Sequence, residues 1–248
     1  MVRLYSPHAK PQLTGTPLGH VNCNMAAAAV TADRATLGAV NVSADAMRTA
    51  SGDKLGGTTL QGAATALAAY GVHLNIHPPQ DRETLDDLWD HIANGNGVIL
   101  DGDYDVVPNN LSGQPAFDGT HAVYLQNAGM HTMVWDSLAD GRRPGIPQSP
   151  IVWPRHIIDR FANKYPGLGI SYGVITRHFL RADARTTNIR AKATRNSPII
   201  GTFRRGAELE RGRVKLGESI GGDRRWYRVW SPDANAVGFV HASVSSLV

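Results

Sequence analysis

The chain is short of cysteine and of long apolar runs, and each shortage excludes a class of protein. A single thiol, Cys23, among 248 residues rules out an internal disulfide and a cysteine-built zinc cage. No stretch approaches the roughly 18 apolar residues that a membrane-spanning helix needs. The longest, residues 26–30, is alanine apart from Val30. The first twelve residues mix charge, His and Pro and lack the apolar segment of an export signal, so the reading is a protein with no membrane span and no amino-terminal secretion signal. Aromatic residues are few at 7%, but hydrophobic residues reach 42% and charged ones 19%, ordinary globular usage that excludes a disordered chain.

Charge is unevenly placed. From Arg181 onward there are thirteen Lys/Arg and six Asp/Glu, which leaves twelve basic and fifteen acidic residues in the body of the chain. An acidic-leaning body is therefore followed by a basic carboxyl-terminal segment.

Patterning divides the chain the same way. A Pro- and Gly-punctuated opening leads to a helix beginning near Cys23, with Asn22 as its cap and Met25 and the alanine run as its packing face. Helices follow at 43–51, capped by Ser43 and ended by Gly52, and at 59–70, stopped by Gly71. Residues 72–77 alternate like a strand. Residues 81–94 form the clearest amphipathic helix, with Leu85, Leu88, Trp89 and Ile92 on one face.

Strands then dominate: 97–100, a hairpin of 120–126 and 131–136 turning at 127–129, and 171–176, with a helix at 154–165. The polar, Gly/Pro/Asn-rich stretch 104–119 is a long surface loop, and loops of that length are commonly functional. Helices first and an antiparallel sheet after them make an α+β domain over 1–177. Residues 178–187 form a charged linker. Short β-like runs at 188–191, 199–203, 208–216, 226–230 and 238–240, separated by glycines, make a small all-β barrel over 188–248.

Cys23 at a helix start carries the chemistry, because the positive end of a helix stabilises a thiolate and a neighbouring imidazole can take the proton. His121 opens one strand of the hairpin and Asp136 ends the other, so the pairing brings them together at its open end. His121 is then the base, and Asp136 fixes its tautomer and stabilises its charged form.

Four segments in order carry a family resemblance: Asn22-Cys23-Asn24-Met25-Ala26-Ala27-Ala28, then Gly56-Gly57-Thr58-Thr59-Leu60 leading into a helix ending Ala68-Ala69-Tyr70-Gly71, then Gly119-Thr120-His121-Ala122-Val123, and Val134-Trp135-Asp136-Ser137. Over roughly residues 10–177 the chain resembles the papain-like fold of bacteriocin-processing (double-glycine-leader) peptidases and their relatives in phage lysins. The resemblance implies Cys23 as nucleophile, His121 as base and Asp136 as orienting acid. The chain departs from the family at Asn24, where a small residue is usual, at Ser137, where Pro is usual, and at Pro17, where an oxyanion-stabilising Gln is usual. Gln12, Asn22 and His20 are the substitutes available as oxyanion donors.

The carboxyl-terminal part has its own resemblance. Asn188-Ile189-Arg190-Ala191, Ile200-Gly201-Thr202-Phe203-Arg204-Arg205-Gly206-Ala207, Arg225-Trp226-Tyr227-Arg228-Val229 and Val237-Gly238-Phe239-Val240-His241 are similar to bacterial SH3 domains. Such domains commonly bind wall peptides or glycans beside a lytic domain, which implies Trp226, Tyr227, Arg228 and Trp230 as wall-binding residues. Alternation puts Trp226, Arg228 and Trp230 on one face of a strand and Tyr227 and Val229 on the other, and one of those sets must fill the core.

Two other patterns carry less. Asp101, Asp103 and Asp105 resemble the opening of a calcium loop, but Val106 and Ser112 stand where Gly and Glu belong, so no metal is expected. His73 and His77 lie in a strand-like stretch, where helical ligand spacing does not apply. The expectation is a cofactor-free cysteine hydrolase of peptidoglycan, acting at the bacterial wall and either carried in a phage virion or held in the host cytoplasm until lysis. Its partners are peptidoglycan or another wall polymer and other tail proteins, with nucleic acid disfavoured. The alternative is a structural tail or baseplate component with an inactive peptidase fold, which the three departures motivate.

Overall fold

The computed structural model describes residues 6–54, 56–127, 131–164, 169–176, 178–231 and 233–247. The architecture is α+β, with amino-terminal helices packed against a sheet, followed by a separate, curled antiparallel sheet domain. The chain divides into two compact units, one of Pro7–Arg34 with Val40–Thr176, the other containing Ala35–Ala39 and residues 178–247.

In the first unit, α1 (Cys23–Ala35) is buried from Asn24 to Arg34. Its alanines let it sit close to its neighbours, as a helix buried on all sides requires. α2 (Ala44–Ser51) begins where Ser43 Oγ accepts from the Ala46 N–H and ends at Gly52, whose φ of 78° few other residues tolerate. α3 (Leu60–Ala69) is capped by Thr59, which accepts from the Gly62 N–H. The strand expected at 72–77 is shortened to β1 (Asn75–His77). The amphipathic helix is likewise shorter: a 3-10 turn at Pro79–Asp81 precedes α4 (Leu85–Ala93), because Thr84 and Asp87 form a reciprocal capping box that fixes the helix start.

β2 (Gly97–Asp103), β3 (Thr120–Asn127), β4 (Thr132–Trp135), β5 (Ile151–Val152) and β6 (Ser171–Ile175), with the helix α5 (Arg155–Ala162) between the last two, complete this unit. The six-stranded antiparallel sheet has the order β1-β6-β2-β3-β4-β5. β6, last in sequence, therefore lies inside the sheet, between β1 and β2. The hairpin forms as expected, with Tyr124 opposite Trp135; its turn, beyond Asn127, lies outside the described residues, as does the end of the 154–165 helix at Tyr165. One sheet face, through Val98, Leu100, Val123 and Leu125, packs with Leu88 and Ile92 of α4 and with Ile157, Ile158 and Phe161 of α5.

The second unit is a seven-stranded antiparallel sheet of β7 (Phe179–Ala182), β8 (Thr186–Arg190), β9 (Ile199–Arg204), β10 (Glu208–Ile220), β11 (Asp223–Ser231), β12 (Ala236–His241) and β13 (Ser245–Leu247), in the order β13-β7-β10-β11-β12-β8-β9. The linker expected at 178–187 is thus corrected: it contains β7 and the start of β8, and β7 pairs with both β10 and β13. Register shifts in the β10–β11 pairing, between Arg211 and Val214 and between Leu216 and Ile220, supply the bulges that bend a long strand. The segment Ala35–Ala39, far away in sequence, belongs to this unit: Arg228 Nε donates to Leu37 O at 3.0 Å, and at Gly212 a Cβ would meet Thr36 O at 3.0 Å.

Candidate active site

Cys23, the first residue of α1, is half-buried. The first amides of a helix have no intrahelical acceptor, so the thiol sits where negative charge is favoured. His121, on β3, is fully buried, and its Nε2 lies 2.9 Å from Asp136 Oδ1. Its Nδ1 has no hydrogen-bond partner, and Cys23 is the other side chain that acts on the charge of the ring. Burial opposes charge on the imidazole, but the hydrogen bond with Asp136 and the influence of Asp136 and Cys23 outweigh it and push the pKa up to about 9. Burial also opposes ionisation of Asp136. The bonds from His121 and Tyr104 and the Leu138 N–H, 2.9 Å from Oδ1, overcome this and hold the carboxyl below its usual range.

The loop 104–119 builds the wall behind this pair. Tyr104 donates its hydroxyl to Asp136 Oδ2 and packs edge-on against His121 with ring centroids 4.8 Å apart. Phe117 approaches the same imidazole at 6.1 Å. Burial and the neighbouring Asp136 push the Tyr104 phenol up, so it remains a donor. The Gly113 N–H donates to Tyr104 Oη at 2.7 Å and to Asp136 Oδ2 at 3.2 Å. Glycine is required there, because a Cβ would lie 2.1 Å from the Leu138 carbonyl carbon. Tyr104, Gly113 and Phe117 escaped the sequence reading. The one signal available was that the loop immediately precedes His121.

The oxyanion candidates fare differently. Asn22 is fully buried with both ends of its amide engaged, Nδ2 donating to Asp45 at 2.8 Å and Oδ1 accepting from Arg48. Its carbonyl takes the first bond of α1, from the Ala26 N–H at 2.8 Å, so it stands at the cap position, but its side chain is not a free oxyanion donor, and that expectation is corrected. Gln12 donates from Nε2 to His20 O at 3.0 Å and accepts from Ser137 Oγ at 2.8 Å, so it ties the segment before Cys23 to the residue after Asp136. His20 lies in a 3-10 turn with its side chain exposed.

In the second unit the expected wall-binding aromatics are corrected. Trp226 is 1% exposed and Tyr227 5%, too deeply buried to stack on a ligand. Trp226 packs with Ala193 and Phe239 and donates from Nε1 to Glu218 O, while Tyr227 packs with Leu180, Phe203 and Val229 on the other face. Both faces of β11 are thus covered along this stretch, where simple alternation assigned one to solvent. Arg228 is half-buried, held by Leu37 O, and Trp230 is half-buried.

The acidic triplet also separates. Asp103 Oδ1 accepts from the Asp105 N–H, Asp105 Oδ1 accepts from the Gly119 N–H, and Asp101 turns toward Asn24. Among the described residues no three His, Cys, Asp or Glu side chains are grouped to hold a metal ion, and no helix is long and apolar enough to cross a membrane.

Neither a protein-family model nor a curated protein matches this chain. Among solved structures it is similar to one described as "The crystal structure of Ly7917", at 13% identity over 91% of this chain and 92% of that one, with a TM-score of 0.22. A score that low carries no argument about fold or function.

Proposed function

We propose that the chain is a cysteine hydrolase of bacterial peptidoglycan, with a papain-like catalytic unit and an SH3-like unit that holds it on the wall. The observation that carries this reading is the buried imidazole of His121, fixed at Nε2 by Asp136, with Nδ1 unpartnered and Cys23 among the groups that favour its charge. A fully buried, charged imidazole is costly, and one shared between a carboxylate and a thiol at a helix start is the arrangement that generates a thiolate nucleophile.

In the proposed reaction the Cys23 thiolate attacks the carbonyl carbon of a peptide or amide bond. Negative charge develops on the carbonyl oxygen, where the amides at the start of α1 can donate. The His121 imidazolium passes its proton to the departing nitrogen, and the C–N bond breaks to leave a thioester on Cys23. Neutral His121 then takes a proton from water, the hydroxide attacks the thioester, and the acid product leaves with the thiol restored. Asp136 keeps the imidazole in one orientation throughout, and Tyr104 keeps Asp136 in place. In the second unit, exposed Arg204, Arg205, Arg213, Lys215 and Arg224 supply positive charge for anionic wall polymers.

The test is release of new amino groups from purified peptidoglycan of several wall chemotypes, by wild type and by Cys23→Ala. Release that Cys23→Ala lacks supports the hydrolase, and the fragment masses name the bond. A folded, wall-bound protein that releases nothing from any chemotype overturns the hydrolase and favours the structural tail component.

A further inference from the structure

Beside the nucleophile lies a pair of acceptor oxygens that the reaction above does not use. Asn24, which follows Cys23, is 3% exposed; its Nδ2 donates to Thr58 O at 3.0 Å, and its Oδ1 has no hydrogen-bond partner. Its side chain also bears on the charge of Asp101, whose Oδ1 is shielded from solvent and equally unpartnered. Asp101 sits on β2 opposite Ala122 of β3 and Ser171 of β6, one position from the Gly102–His121 pair. It forms part of the wall of an open groove of about 460 Å³, with Thr59, Gln61 and Ser171 as polar lining and Leu60, Ile76 and Pro78 as apolar lining.

A buried carboxylate oxygen and a buried amide oxygen without donors are costly unless something supplies them with protons. The groove offers several oxygens around a single acid, a set that suits the three N–H donors of a primary ammonium and is too poor in carboxylates for a hard divalent cation. We infer that Asp101, in the wall of this groove, forms a subsite for a primary ammonium group of the substrate peptide, either the side-chain amine of a diamino acid or a free α-amine. The inference rests on the peptidoglycan reading and names the feature of the stem peptide that the groove selects.

The electrostatics agree. Burial pushes the Asp101 carboxyl up to about 6, against the opposing influence of Asn24, Lys164 and His121. These two cations are the charged groups that bear on it; Lys164 Nζ is held by Thr120 Oγ1, and His121 by Asp136. The acid therefore ionises between pH 5 and 7, while His121 stays charged, and the subsite strengthens as pH rises through that range.

The test measures binding of a synthetic L-Ala-γ-D-Glu-L-Lys-D-Ala stem peptide to the full Cys23→Ala chain by calorimetry, so no turnover is needed. Three forms are compared: both amines free, only the α-amine acetylated, and only the lysine ε-amine acetylated. Acetylating the recognised amine weakens binding about tenfold or more at pH 7, the loss of a charge-assisted hydrogen bond, and the sensitive form identifies which amine is bound. With Asp101→Asn added, the free and acetylated forms bind within about twofold of each other, a ratio that mere loosening of the fold would not equalise. Equal affinity for all three forms, a ratio that Asp101→Asn leaves intact, or no binding of any form overturns the subsite. Rapid, His121-dependent alkylation of Cys23 by iodoacetamide in the wild-type chain would then leave the nucleophile reading standing, and its absence would remove that as well.

Discussion

The two units bury different things. The first encloses His121, Asp136, Asn22, Asn24 and Arg48 among its apolar side chains, each polar group tied to others or left with an unmet atom. The second buries Leu180, Phe203, Trp226, Tyr227, Val229 and Val240, with Glu210 and His241 as its buried ionisable groups, and leaves most of its arginines in solvent. Buried polar groups cost stability unless they are paired, so the linked set of Tyr104, Asp136 and His121 sets the first unit apart as one organised around chemistry. A unit that concentrates aromatics is organised around its own small core. The contrast also explains why rings that looked like ligand contacts became core: a sheet of about 70 residues has few other large side chains with which to exclude water.

The largest effect that would break this comparison is at the nucleophile. Cys23→Ala is expected to abolish amine release while leaving the thermal unfolding profile in place, because the residue is half-buried and the change is small. Next is Asp136→Asn, which keeps the shape but loses the charge that orients His121. It should lower the turnover rate by about 10⁴-fold, measured as initial rate on one defined wall fragment.

Third, Trp226→Ala and Tyr227→Ala should each destabilise the second unit by about 3–5 kcal/mol, the usual cost of emptying a buried aromatic site. Denaturant unfolding checks this. The same loss of wall retention without destabilisation would instead make these rings ligand contacts. Arg213→Ala with Lys215→Ala sharpens the contrast: retention on anionic wall polymer should fall and become less salt-sensitive, with stability unchanged within about 0.5 kcal/mol.

Tyr104→Phe should have the smallest effect on turnover; it removes one hydrogen bond to a charged acceptor at a cost of about 1.5–3 kcal/mol of stability, checked by denaturant unfolding. The pH dependence of stability has a definite sign. The folded pKa of His121, about 9, lies above its ordinary 6.5, so its stabilising contribution is complete below 6.5 and is lost as pH rises through 9. Asp136 is held below 3.8, so its contribution is present above that value and is lost as pH falls. Asp101, raised to about 6, works the other way, weakening the fold as pH climbs from 3.8 toward 6. Unfolding curves at pH 5, 7 and 10 for wild type and Asp101→Asn separate the contributions.

By itself the sequence determined the local devices. Ser43 and Gly52 bound α2, and the alternation of 120–126 and 131–136 makes a hairpin, because caps and strand periodicity depend on neighbours a few residues away. It also singled out Cys23, His121 and Asp136, through a lone thiol at a helix start and two residues at the open end of that hairpin. Only the tertiary structure decided the rest. Residues 179–182 look like a connector until β10 and β13 lie on either side, and a strand without a strong pattern is made by its partners. Ala35–Ala39 joins a unit that begins some 140 residues later through backbone contacts that no composition reveals. Asn22 is withdrawn by Asp45 and Arg48, Tyr104 reaches Asp136 from 32 residues away, and Trp226 and Tyr227 turn inward on opposite faces of β11. A hydrogen bond or a buried ring depends on which distant residues arrive, and folding brings those partners together across distances that sequence spacing does not encode.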